Sequence, residues 1–172
     1  MPRLVLDLNE SNDLQTIRGV WRIGTGLVPG EPNEGLTAKL LASPPRLADY
    51  DDSNWPICED IRQSLSEGFT FAWYRIKFRI PNEVRGTNIN GYRVFLETNF
   101  DNYGEIWVNG TIDRSTGTIL GINSQQRVEL TGSAVSNQDF AIACLVLNGP
   151  LAEPRGGIFI RYCYVAFEAT DN

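Results

Sequence analysis

The chain's 172 residues, 42% hydrophobic and 10% aromatic, suit one globular domain with a single core and argue against disorder. Its net charge of −6, with Arg and Lys scattered singly, argues against a nucleic-acid partner. Histidine is absent, which removes Ser-His-Asp and Cys-His nucleophile systems and most zinc sites.

The N-terminal MPRLVLDLNESND has one basic residue, a short apolar patch and then acids, without the long apolar centre of a signal peptide. The expectation is a cytoplasmic protein, or one whose leader has been removed. No apolar run approaches the roughly 20 residues that span a bilayer, so no membrane partner is expected. GTGLVPGEPNEGL (24–36) is a long Gly/Pro loop carrying Glu31, Asn33 and Glu34, suited either to lining a pocket or to wrapping the surface. Asp49, Asp51, Asp52, Asn54 and Asp60 follow. Their D-x-D-x-S spacing loosely resembles a calcium loop, but the glycine and the closing glutamate of such loops are missing, so an Asp-rich turn is expected and no metal ligand is assigned. ICEDIRQSL (57–65) is the one stretch with helical character.

Period-two alternation then dominates. In WYRIKFRIP, Tyr74, Ile76, Phe78 and Ile80 fall on one face and Arg75, Lys77 and Arg79 on the other, with Pro81 ending the strand. YRVFLETNF and GEIWVNGTI read as the next two strands, connected through Asn99–Tyr103; Ile106 and Val108 point inward, Glu105, Trp107 and Asn109 outward. Asn109-Gly110 is a strong tight-turn signal. QRVEL, FAIACLVLN and GGIFIRYCYVAFE complete the set, the second apolar on both faces as a central strand should be. NGPLAEPRGG (148–157), with Arg155, is a second Gly/Pro loop. Cys58, Cys144 and Cys163 form no CxxC pair and leave one cysteine over, which favours free thiols in a reducing compartment. The architecture expected is all-β: an antiparallel two-sheet β-sandwich, a jelly roll, as a single domain over 1–172.

Three fragments in order, YDDSNWP (50–56), FAWYRIKFRIP (71–81) and VFLETNFDNYGEIWVNG (94–110), resemble the galactose-binding-like jelly roll, in particular the N-terminal sugar-binding domain of glycoside hydrolase family 2 enzymes. The stretch from Phe140 to Glu168 is similar to a domain that accompanies gluconolactonase-type propeller proteins. The resemblance implies a fold whose loops bind sugars, sometimes with a structural calcium ion, and suggests docking to a propeller-type enzyme or to a second copy of the chain. No catalytic residue carries over, since in the hydrolases the catalytic carboxylates belong to another domain.

If the strands around residues 74–80, 92–99 and 104–109 share a sheet, Arg75, Glu97, Asn99, Glu105, Trp107 and Asn109 lie on its non-core side, with Arg161 joining from the last strand and Tyr103 from the rim. An indole among carboxylates, amides and guanidinium groups suits a sugar's C–H faces and hydroxyls; a solvated face with Arg–Glu pairs has the same composition. Trp21 and Trp55 are candidates for the edge of this platform. Two functions follow. One is binding of a carbohydrate or another polyhydroxylated small molecule. The other is histidine-free acid–base catalysis (isomerase, cyclase, lyase or lactone chemistry) by Glu97, Glu105 or Asp101, which needs a carboxyl whose pKa is raised by burial against Trp107.

Overall fold

The computed structural model describes residues 3–25, 44–63, 70–148 and 157–170. The loops 26–36 and 149–156, including Glu31 and Arg155, lie outside the described residues, as do the side chains of Asp101 and Asn102.

Nine strands are described: β1 (Arg3–Asp7), β2 (Val20–Thr25), β3 (Thr70–Arg79), β4 (Glu83–Val84), β5 (Thr87–Asn88), β6 (Arg93–Val108), β7 (Thr118–Thr131), β8 (Asp139–Asn148) and β9 (Ile160–Glu168). Seven of them form one antiparallel sheet in the order β1-β9-β6-β8-β3-β2, with β7 on the free side of β6; β4 and β5 make a separate hairpin. The sheet curls because β6 changes partner along its length. Residues 93–100 pair with β9, and 103–108 pair with β8. The two flanks enclose one core, in which Leu6, Val94, Leu96, Val165 and Phe167 meet Trp21, Tyr74, Ile76, Ile142 and Cys144. The result is an all-β antiparallel sandwich whose two walls share strands β6 and β7.

Local sequence explains most of these elements. Ala72, Tyr74, Ile76 and Phe78 of β3 are buried in the core, as their alternation requires. The Asn109-Gly110 turn has positive φ at both residues (49° and 82°), the two-residue geometry that suits strand twist. Its hydrogen bonds run from Val108 N to Thr111 O and from Thr111 N to Val108 O.

Three expectations need correction. Asn99–Tyr103 is not a connection but part of the continuous β6, where register shifts between Asn99 and Phe100 and between Phe100 and Asn102 bend the strand. The Phe100 ring drops into the core and packs against Gly104, where a Cβ would collide with it. The residues described over 57–63 form bends and an isolated bridge from Ile57 to Arg22, not a helix. The described α-helix is α1 (Ser11–Ile17), which ends at Arg18 in the left-handed conformation (φ 57°). Finally, Trp21 is not at a platform edge. It is 1% exposed, and its indole N–H donates to Leu8 O at 2.8 Å.

The three thiols are buried and free. Burial pushes Cys144 up to about 12 and Cys163 well above its ordinary value. No helix among the described residues is long and apolar enough to cross a membrane.

Candidate functional site

The side of the sheet away from the core divides into two fields at the bend in β6. The first lies over β1, β9 and the first half of β6, and it holds Glu97 and Asn99. Glu97 accepts from Arg3 Nη2 at 2.5 Å and Arg127 Nε at 3.2 Å; Glu168 accepts from Arg127 Nη2 at 2.6 Å and Arg3 Nε at 3.4 Å. These alternating charges close a ring of half-exposed pairs, each of which contributes little to stability. Asn99 is 2% exposed and donates to Asn123 Oδ1 at 2.8 Å. Arg161 occupies the irregular step in β9 opposite the β6 bend; it is exposed and packs over Phe159 at 5.0 Å, not on the core side with Phe167.

The second field lies over β2, β3, β8 and the second half of β6. The ladder sets its side chains in rows. Trp73, Leu145 and Glu105 share one row, Arg75, Ala143 and Trp107 the next, and Lys77, Ala141 and Asn109 the third. Residues 44–58 fold across part of this surface. Trp55 lies on Gly24, so closely that a Cβ there would stand 2.7 Å from the indole, and it meets Tyr50 edge to face at 5.5 Å. Pro56 and Cys58 then pair with β2, through Ile23 N to Pro56 O at 3.1 Å and Cys58 N to Trp21 O at 2.9 Å.

That cover decides the fate of Arg75. Only 1% exposed, its guanidinium donates to Asp52 Oδ2 at 2.8 Å and to the Pro45 carbonyl, and lies over the Tyr50 ring. A buried cation must be paired. Arg75 is therefore a fastening under the 44–55 segment rather than a group presented to a ligand. The acidic group is spent in the same way. Asp52 holds Arg75, while Asp51 and Asp60 accept the backbone N–H two residues on, from Ser53 and Arg62. Among the described residues no three carboxylates or thiols converge as metal ligands.

Tyr103, Glu105 and Trp107 do come together. Glu105 is 8% exposed and accepts three bonds: from Tyr103 O–H at 2.7 Å, Trp107 Nε1 at 2.9 Å and Arg114 Nη1 at 2.8 Å. Burial opposes its ionisation, but the bonds from Arg114, Tyr103 and Trp107 together hold its carboxyl below the ordinary glutamate value. Tyr103 moves upward, through burial first and then its bond to that carboxylate. The raised carboxyl that acid–base catalysis at Glu105 requires is thus the reverse of what forms. Arg114 and Arg46 approach the Trp107 ring, at 6.0 and 5.7 Å from its centroid. Sequence reasoning missed Arg114. It sits in the turn after Asn109-Gly110, nine residues from its partner, and nothing in its own context marks it.

Past the edge of the covering segment the field opens into a groove of about 500 Å³. Ala48 and Ala141 line it with Arg18, Lys77, Arg79, Asn109 and Asp139, together with the strand segments at Phe78 and Phe140, whose side chains belong to the core. Arg79 and Asp139 pair through two bonds, at 2.7 and 3.2 Å. Asn109 Oδ1 accepts from Ala141 N at 2.8 Å, which orients the amide at the groove's side. Of the described candidate site residues read from sequence, Asn109 alone lines this groove.

The fold has known counterparts. It superposes on a calcium-binding mutant of Bacteroides uniformis β-glucuronidase 2 at a TM-score of 0.63 and 16% identity, covering 96% of this chain and 18% of that one. A glycosyl hydrolase family 2 member from Bacteroides cellulosilyticus gives 0.62 at 15%, over 95% and 20% of the two chains. A β-glucuronidase of an uncultured Clostridium gives 0.61 at 13%, over 98% and 29%. The likeness is one of fold. This chain spans less than a third of each of those proteins. No family model matches it, and no curated protein does.

Proposed function

We propose that the chain is a carbohydrate-binding module of the galactose-binding-like type, whose ligand lies in the groove between Lys77, Arg79, Asn109 and Asp139. The groove itself carries this reading, because an oriented amide and charged groups beside Ala48 and Ala141 match a sugar's mixed surface. The shared fold with parts of β-glucuronidases and a family 2 glycosyl hydrolase supports it, since those proteins act on glycosides. Trp107, near the end of β6, stands one row from Asn109, near enough to flank an extended ligand.

The test is amide chemical-shift mapping with a panel of mono- and disaccharides. Shifts should concentrate on Asn109, Ala141 and their neighbours. Asn109→Gly keeps the positive-φ turn while removing the amide, and should weaken binding about tenfold, near the worth of one lost hydrogen bond. Shifts confined to the Glu97 field, or unchanged affinity in this variant, would move the site elsewhere.

A further inference from the structure

Among the described residues, the groove gathers more cations than carboxylates. Three cations, Arg18, Lys77 and Arg79, and one carboxylate, Asp139, line it among the described residues, in a chain whose net charge is −6. Two of the three are held in place. Arg79 is fixed by its two bonds to Asp139. Lys77 is steadied by the Tyr50 carbonyl at 2.9 Å and stands 3.9 Å from Asp52, whose other oxygen already serves Arg75. Arg18 follows the last turn of α1, and its guanidinium makes no ion pair among the described residues. Neutral hydroxyls do not need such a surplus. Cations gathered at one groove gain most from a ligand that brings its own negative charge.

From this charge balance, and resting on the carbohydrate reading above, we propose that the groove selects acidic sugars, with a carboxylate seated between Arg18 and Lys77 and the ring hydroxyls on Asn109 and the Arg79–Asp139 pair. The probes are methyl β-glucuronide and methyl β-glucoside, which differ in one carboxylate, titrated calorimetrically into the protein at low and high salt. The acidic glycoside should bind at least tenfold more tightly, and the gap should narrow as salt rises. Arg18→Gln and Lys77→Gln, both surface changes, should each erase most of the preference, the glucuronide losing at least fivefold more affinity than the glucoside. Equal affinity for the two glycosides would overturn the acidic selectivity and leave the carbohydrate reading standing. Binding of neither would take both down. A preference that survives both substitutions would show that the carboxylate sits elsewhere, and would equally overturn the assignment.

Discussion

Arg75 and Arg79 lie four residues apart on the same side of the same strand, each paired with one aspartate. Arg75 is 1% exposed beneath the 44–55 segment and Arg79 is 44% exposed at the groove. The chemistry is identical and the consequences are opposite. Under the cover, the ion pair belongs to the fold, because an unpaired charge there has no water to turn to. In the open, the pair is a polar surface that a ligand can share. What separates a structural arginine from an available one is the position of a loop, not anything in the strand.

The contrast can be broken from either end. Removing Asp52 strikes hardest. Asp52→Ala leaves Arg75 buried without its counter-ion and should cost about 3–5 kcal/mol in urea unfolding. Replacing both partners by apolar residues of similar size should restore most of that; failure to do so would mean Asp52 acts on the loop directly. Glu105→Gln comes next, at about 1–3 kcal/mol near neutral pH, since the carboxylate's bonds to Arg114, Tyr103 and Trp107 weaken. Because the folded state holds this carboxyl below its ordinary 4.5, the wild type's advantage should be complete above that value and vanish as pH falls through the lower folded one. A gap that persists in strong acid would point to packing rather than charge. The smallest change in stability belongs to Arg79→Ala, within about 0.5 kcal/mol of wild type. There the readout is saccharide affinity, which should fall while the melting curve stays in place.

The strands were legible because one side of each is sealed in a core, and that imposes a period of two. WYRIKFRI announces β3, and Asn109-Gly110 announces its turn. The bend at Asn99–Tyr103 was not legible, since Asn99, Asp101 and Asn102 within four residues read as a connection, while Gly104 answers to a neighbouring Phe100 ring. Alternation also placed Arg75, Lys77 and Arg79 correctly on the outer side. It could not reveal that residues 44–55 would bury the first and leave the other two exposed, because a covering loop carries no periodicity. For the same reason the expected platform splits. Glu97 sits beyond the bend among its own ion pairs, Glu105 is fully engaged with Tyr103, Trp107 and Arg114, and Asn109 remains at the groove.

β6 has a mechanical consequence. Its backbone is hydrogen-bonded first to one wall and then to the other, while β7 runs beside it throughout. There is no seam along which the layers can part without tearing a single strand out of two partnerships. Amides as far apart as Leu96 and Ile106 should therefore exchange with solvent through one shared opening, so that the molecule melts as a unit instead of peeling.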